Sequence, residues 1–166
     1  MCIRDRSKAA TEWYVRSGNM DSLEALKTRV LDCLHGGALS AGCEMHHEWI
    51  DPPFCDMIDN HPLLDLYVQN AMDVGRHPLP EAEGAMVVGS TDMGNVSYSV
   101  PAIHPMIKVA PEGTPIHTPE FEVYAGREEG DRAVIDGALT MALTLVDCLA
   151  SNETRHAIRG AFPGTT

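Results

Sequence analysis

The stretch Ala85–Asn95, AMVVGSTDMGN, decides the fold that we expect for this chain. Its first four residues are all apolar, which is typical of a strand that is buried on both faces of a sandwiched parallel sheet. Gly89 and then Ser90, Thr91 and Asp92 follow at once, so a buried strand runs out into a glycine and three polar side chains. Ligands of open α/β sheets bind at the carboxyl ends of strands, which makes this turn a candidate binding site.

The four residues Gly89, Ser90, Thr91 and Asp92 suit substrate binding. Glycine lets the backbone approach a ligand, the two hydroxyls can donate hydrogen bonds, and the aspartate can cap the helix predicted over 93–100. The free N–H groups at such a helix start would suit a substrate carboxylate. A capped turn without any ligand is the alternative, because serine, threonine and aspartate are common helix caps.

Strands and helices alternate along the second half of the chain. Met106–Val109 is a further apolar strand, and a helix is predicted to begin at about Asn60, with a proline in its first turn, where the missing N–H costs nothing. A long helix that Asp131 caps and that runs to about Ala150 is predicted from apolar residues at helical spacing. This alternation indicates an α/β layer architecture. Residues 152–166 show no periodicity and are expected to be frayed.

The first half predicts a small α+β unit. Thr11–Arg16 is rich in strand-forming residues, and a capping box of Asp21 and Glu24 predicts a helix that begins near Ser22. Cys43–Ile50 alternates loosely and is predicted to be a second strand. A strand–helix–strand unit of this size buries too little apolar surface to be stable by itself, so we expect it to need another strand pair.

Two residues outside the polar turn are candidates for binding. His117 lies in a loop between Pro115 and Pro119, whose fixed φ angles stiffen the loop, and histidine nitrogen is a standard zinc ligand. A lone loop histidine is more often a polar surface residue, because one ligand does not define a metal site. Arg16, at the end of the first predicted strand, could bind a carboxylate through two N–H groups. An arginine whose charge is simply solvated would fit this position equally well.

Composition excludes several function classes. The net charge is −12 and no cluster of lysines and arginines occurs, which argues against nucleic acid and against an anionic membrane surface as partners. No run of about 18 apolar residues is present, so no membrane span is expected. The five cysteines are odd in number and form no C-x-x-C pair, which favours reduced thiols in a cytoplasmic protein.

The first six residues, Met1–Arg6, fit no structural pattern. They resemble the in-frame translation of a sequencing-library adapter, and they have no apolar segment typical of a secretory signal. We therefore expect residues 1–6 to be non-native and the reading frame to belong to a longer gene. An ordinary polar terminal tail is the alternative.

Five segments, in this order, resemble the aminoacylase/carboxypeptidase-type zinc metallopeptidases of family M-twenty. The resemblance is greatest to the amidohydrolase branch that includes the p-aminobenzoyl-glutamate hydrolase subunit and the β-alanyl-lysine dipeptidase. The segments are Tyr14–Arg16, Gly89–Tyr98, Val100–Pro105, Ile116–Phe121 and Ala138–Leu149.

The resemblance implies a three-layer αβα catalytic domain that is interrupted by a ferredoxin-like lid through which the protein dimerises. Residues 7–52 would be the second half of this lid, and residues 53–151 the carboxyl-terminal part of the catalytic domain. His117 matches the last histidine metal ligand of the family. The turn Gly89–Asp92 matches the loop that lines the substrate pocket, and Arg16 matches a lid arginine that faces the substrate carboxylate.

The implied activity is hydrolysis of the amide bond in small N-acyl amino acids or dipeptides, with two divalent metal ions, zinc or else manganese or cobalt. The family's other metal ligands and its general-base glutamate precede the lid, and their motifs are absent from this chain. No catalytic residue can therefore be assigned, and we expect the chain alone to be inactive. A non-catalytic dimerisation or binding module is the alternative. A different α/β hydrolase, with His117 or His104 as base, is disfavoured because no G-x-S-x-G turn occurs.

Overall fold

The structure, a computed structural model, describes residues 8–79 and 91–163. It divides into two compact units, Met1–Asp56 and Met57–Thr166. The helices of the described residues are α1 Met20–Ser40, α2 His61–Asp73, α3 Met93–Ser97, α4 Pro119–Ala125, α5 Glu128–Ala150 and α6 Asn152–Gly160. Within the same ranges no segment is hydrogen-bonded into a sheet.

Helix α1 dominates the first unit. The side chain of Asn19 accepts a hydrogen bond from the N–H of Ser22, 2.9 Å away. Asn19 is therefore the N-cap, and the capping box predicted at Asp21 is wrong, because Asp21 already lies in the first turn. The helix ends before Gly42, which has a φ of 66°, as a helix-stop glycine commonly does.

The segment after α1 lies along the helix without forming a ladder in the described residues. The His47 ring lies 6.3 Å from that of His35 and 6.2 Å from that of Trp49. The Lys27 ammonium lies 4.9 Å from the centre of the Trp49 ring, a cation–π contact worth about 0.5–1 kcal/mol at an exposed site. Residues 47 and 49 share one side of the segment, which is the alternation of a strand.

No residue between 8 and 56 is fully buried. Trp13, Tyr14 and Ile50 are 61%, 84% and 82% exposed. One helix and two flanking segments leave such side chains without a second apolar layer to pack against. The first unit therefore buries too little surface for independent stability, in agreement with its small size.

Alanine at Gly36 or Gly37 is expected to stabilise α1 by about 0.5–1 kcal/mol, because glycine is a poor helix former. A Cβ at either position would meet no atom within 4 Å. Gly42→Ala is the matched control, and we expect it to destabilise the helix end by about 1–2 kcal/mol because of its positive φ. Hydrogen exchange of the α1 amides measures both effects. Faster exchange in Gly36→Ala would contradict the structure.

In the second unit, α2 begins as the sequence predicts. The side chain of Asn60 accepts from the N–H of Leu63 at 3.2 Å, and Pro62 lies in the first turn. Helix α5 packs against α2, α4 and α6. It begins at Glu128 with Arg127 at the cap position, so the prediction that Asp131 caps this helix is wrong.

Helix α6 forms where the sequence analysis expected a frayed end. The Ser151 hydroxyl accepts from the N–H of Thr154 at 3.1 Å, and the guanidinium of Arg155 donates to the carbonyls of Cys148 and Leu149 at the end of α5. Ile158 is the residue of α6 that is buried. With Ile158 as its single buried residue, α6 lacks the repeated stripe of large apolar residues from which the longer helices are predicted.

The predicted strand Met106–Val109 lies in a segment that has the burial pattern of a strand. From Ile103 to Val109 the odd-numbered residues are half-buried and the even-numbered residues exposed, which is the alternation of a pleated strand. The Ile107 Cδ1 atom lies 3.4 Å from where a Cβ on Gly137 would be, so this segment packs on α5. Its amides donate to no backbone carbonyl of the described residues.

Candidate functional site

The polar turn is described from Thr91 onward, and the candidates Gly89 and Ser90 lie outside the described residues. The Thr91 hydroxyl accepts a hydrogen bond from the N–H of Met93 at 3.3 Å. Asp92 occupies the cap position of α3, is exposed, and makes no side-chain cap bond. The side-chain capping role therefore belongs to Thr91, which leaves the carboxylate of Asp92 directed to solvent.

A buried serine anchors the turn to the rest of the second unit. Ser97 is 1% exposed, and its hydroxyl donates to the carbonyl of Gly94 at 2.6 Å while it accepts from the N–H of Ile58 at 2.9 Å. Both hydrogen-bonding roles of the hydroxyl are used, which fixes α3 against the segment before α2. No local sequence signal indicates this anchor, because Ile58 lies 39 residues away in the chain.

His117 immediately precedes Thr118, the N-cap residue of helix α4. The Thr118 hydroxyl caps α4 by accepting from the N–H of Phe121 at 3.3 Å, and it donates to the carbonyl of Pro115 at 2.8 Å. Sequence analysis did not predict this helix, although threonine followed by proline and then glutamate is a helix-start signal. The side chain of His117 is exposed, next to a capped and therefore ordered helix start.

The backbone of His117 is in the left-handed region, with a φ of 62°. Few residues other than glycine adopt this conformation, and such outliers cluster at functional sites. Within the described residues no group of three or more histidine, cysteine, aspartate and glutamate side chains could hold a metal ion. These residues therefore do not form a metal site by themselves, and His117 supplies one ligand at most.

Arg16 belongs to the first unit, where it is exposed. The described candidates are therefore divided between the two units: Arg16 in one, and Thr91, Asp92 and His117 in the other. Two of these candidates lie at the start of a short helix. The Thr91 side chain bonds the first turn of α3, and His117 precedes Thr118, whose side chain caps α4.

An apolar groove of about 490 Å³ lies elsewhere in the second unit. Burial raises the pKa of the Cys148 thiol, and the neighbouring Asp147 carboxylate raises it further, against the charge of Arg155. Burial also raises the pKa of the Tyr67 hydroxyl. Both groups are neutral at pH 7, so the groove suits apolar contact. Its lining comprises Leu63, Tyr67, Pro101, Ile103, Pro105, Met141, Thr144, Leu145, Cys148, Arg155, Ile158 and Arg159.

Asn60 joins three segments of this unit. It is 4% exposed. Its backbone N–H donates to Ala102 at 3.0 Å, and its side-chain amide donates to the carbonyl of Ile158 at 2.9 Å. The side-chain oxygen caps α2 through Leu63. One residue therefore holds α2, α6 and the segment 101–110 together.

Asn60→Ala is expected to destabilise the second unit by about 2 kcal/mol, since it removes a helix cap and leaves the Ile158 carbonyl without its donor. The matched control is Asn19→Ala in α1, an exposed cap of the same residue type, for which we expect only about 1 kcal/mol. Hydrogen exchange of α2 and α6 amides, read separately from those of α1, measures the two effects. If the two substitutions lowered stability equally, the hydrogen bond from the buried Asn60 side chain to Ile158 would contribute nothing beyond the helix cap.

Comparison with known proteins relates the chain to dipeptidases. No family model matches it. The chain is 29% identical over 153 residues to the human Xaa-Arg dipeptidase and 28% identical over 153 residues to that of the mouse. Each match covers 90% of this chain but 34% and 35% of the respective relative. The chain thus spans about a third of the length of the curated relatives it matches.

This similarity supports a peptidase of the dipeptidase type, and thus a hydrolase, at the level of the family. The matches extend over nine tenths of the chain, so they are not confined to one motif. The branch within the family, the metal and the site residues stay predictions.

Proposed function

We propose that this chain is the carboxyl-terminal part of a metal-dependent amidohydrolase of family M-twenty. The observation that carries the proposal is a similarity to dipeptidases that extends over 90% of the chain. A match of this length includes residues from both compact units, the first of which is the proposed half of the lid and the second the proposed catalytic part. The complete enzyme would cleave the amide bond of a dipeptide or an N-acyl amino acid.

The proposed fold is a three-layer αβα catalytic domain with an α+β lid. The alternating burial from Ile103 to Val109 supports a strand there, with helices on one side of it. The approach of Ile107 to Gly137 of α5 supports this helix as one of them. In the first unit, uncovered apolar side chains such as Trp13 and Tyr14 suit a lid that pairs with a second copy.

We propose that this chain contributes binding residues rather than the catalytic base. His117 would supply one ligand to a site for two divalent metal ions, with zinc, manganese or cobalt as the metal. Gly89, Ser90, Thr91 and Asp92 would line the substrate pocket, and Arg16 would face the substrate carboxylate. Because the described residues do not complete a metal site, the chain alone would be inactive.

The relatives' name specifies arginine as the second residue of the dipeptide. We propose a basic second residue here as well, because a net charge of −12 attracts a cationic substrate. We propose a cytoplasmic location, because the five cysteines are odd in number and form no C-x-x-C pair.

The test uses the longer gene product, by which we mean the protein encoded by the whole reading frame that contains this chain. The purified protein is assayed with β-alanyl-arginine, β-alanyl-lysine and N-acetyl amino acids, before and after chelation and with added Zn²⁺, Mn²⁺ or Co²⁺. We expect hydrolysis that chelation abolishes and metal restores. No hydrolysis of any substrate under any metal would overturn the proposal.

A non-catalytic dimerisation module is the second candidate, and the exposed Trp13, Tyr14 and Ile50 favour it. It predicts a stable dimer of the 166-residue chain and a longer gene product without amidase activity. Light scattering on both proteins, beside the amidase assay, separates the two candidates.

A further inference from the structure

The large apolar residues of α5 lie on the side of the helix that nothing covers in the described residues. Its buried residues are small: Gly130, Ala133, Thr140 and Thr144. An ordinary amphipathic helix buries its large apolar residues instead. We define the outer face of α5 as its large apolar residues that are 46–69% exposed: Val134, Ile135, Leu139, Met141, Leu145, Val146 and Leu149.

The outer face continues into the apolar groove. Met141 and Leu145 belong to both, and Leu63 and Ile103 extend the groove toward α2 and the strand-like segment. At 1.5 Å per residue, the outer face from Val134 to Leu149 is about 22 Å long. That length exceeds a small ligand, and an apolar patch of this extent marks a contact with another layer of polypeptide or with a lipid.

By length and composition, α5 alone among the described helices could cross a membrane. Its inward side is polar, however: Asn70 of α2 donates to the Asp147 carboxylate at 2.9 Å and to the Thr144 hydroxyl at 3.3 Å. Arg76 forms an ion pair with Asp136 at 2.8 Å. A spanning helix would have to expose or break these contacts in hydrocarbon, which is costly. The outer face therefore suits protein better than lipid.

We infer that the outer face of α5 and its groove receive an apolar layer of the same polypeptide, the part that the relatives have and this chain does not. This inference rests on the proposed function. The relatives are about three times as long as the region matched, which leaves ample polypeptide to form that layer. Between Ala133 and Val146 the helix carries one charge, that of Asp136, which is already paired, so the layer over this part of the outer face needs no charged side chain.

Cysteine reactivity tests this inference without reference to catalysis. All native cysteines are replaced by serine, and Leu145→Cys is introduced as a reporter on the outer face. Arg132→Cys, an exposed and charged position of the same helix, is the matched control. Both variants are made in the 166-residue chain and in the longer gene product, and their rates of reaction with a maleimide are compared.

We expect Leu145→Cys to react at least about 100-fold more slowly in the longer gene product than in the 166-residue chain, because reaction then requires local opening. Arg132→Cys should keep its rate. Equal rates for Leu145→Cys in both proteins would overturn the inference, as would a reading frame that encodes no further segment. If the longer gene product were inactive but Leu145→Cys were protected in it, the proposed function would be wrong and the inference that the outer face is covered would still hold.

Two other possible occupants of the outer face would give different patterns of cysteine protection. Protection in the 166-residue chain that disappears on dilution would mean that a second copy covers the face. Protection that requires phosphatidylcholine vesicles would mean a membrane contact. Either result overturns the inference. Hydrogen exchange of the α5 amides in the two unsubstituted proteins gives the same comparison if the cysteine variants fail to fold.

Discussion

Replacing His117 by asparagine is expected to lower amide hydrolysis by the longer gene product by at least about 100-fold. Loss of a residue that merely supports a metal ligand costs 10–100-fold, so loss of a ligand itself should reach at least the upper figure. Metal content should fall with the rate, because the ligand set is then incomplete. Elemental analysis of the dialysed protein and initial rates with β-alanyl-arginine measure the two quantities.

Asparagine is chosen because of the backbone of His117, whose φ is 62°. Asparagine tolerates the left-handed region, whereas alanine there would add strain of about 1–2 kcal/mol and would confuse loss of a ligand with damage to the loop. His117→Gly is the second variant, since glycine adopts this φ freely. After chelation of the metal, both should keep the thermal midpoint of the equally metal-free parent protein.

His104→Asn is the matched control for this experiment. His104 is exposed and is followed by a proline, and it would be the general base in the disfavoured alternative hydrolase. We expect this variant to keep metal content and rate. Unchanged metal content in His117→Asn would contradict the ligand assignment, and a large loss of rate in His104→Asn alone would favour the alternative hydrolase.

Local signals in the sequence predicted the helices that depend on them. Asn60 with a proline in the first turn defines the start of α2, and Gly42 defines the end of α1. Helix α6 escaped prediction because it buries a single residue, Ile158, and because the bond that holds this residue comes from Asn60, which is 98 residues away in the chain. Distant pairings of this kind leave no periodicity in a local window.

For the predicted strands, the burial of their residues and their pairing into a sheet are separate questions. The sequence predicts an apolar strand over Met106–Val109, whereas exposed and half-buried residues alternate from Ile103 to Val109 and Met106 is 62% exposed. Pairing into a sheet needs a partner strand, and the described residues contain none. The three-layer fold therefore stays a prediction, as do the roles of Gly89 and Ser90, which lie outside the described residues.

The sequence singles out candidate residues for the site, but it does not predict their local geometry. A histidine between two prolines drew attention to His117, whereas its left-handed backbone and the capping role of Thr118 depend on how α4 begins. In the same way, Thr91 rather than Asp92 supplies the side-chain hydrogen bond at the start of α3. Caps are assigned by short-range geometry, which several neighbouring polar residues could satisfy.

Gly130→Ala is expected to destabilise the second unit by at least about 3 kcal/mol, at the upper end of the cost of overpacking. An added Cβ would lie 2.1 Å from the carbonyl oxygen of Ala125 and 2.7 Å from its carbonyl carbon. These are backbone atoms at the end of α4, so the clash is relieved only if α4 and α5 separate. The helix preference for alanine over glycine, about 1 kcal/mol, is too small to compensate.

Gly137→Ala on the same helix is the matched control. Its Cβ would approach only the flexible end of Ile107, at 3.4 Å, so we expect no loss of stability and a gain of up to about 1 kcal/mol. Hydrogen exchange of the α5 amides measures both variants. Similar stability in the two would mean that the junction between α4 and α5 is looser than the structure shows.

The same pair of variants probes the coupling of this junction to His117. Helix α4 begins at Pro119, two residues after His117, and ends at Ala125, the residue that the new Cβ would displace. A shift of so short a helix must move the loop that precedes it. In the longer gene product, we therefore expect Gly130→Ala to lower metal content as well as stability, while Gly137→Ala keeps both. If Gly130→Ala lost stability but kept its full metal content, the position of His117 would not depend on α4.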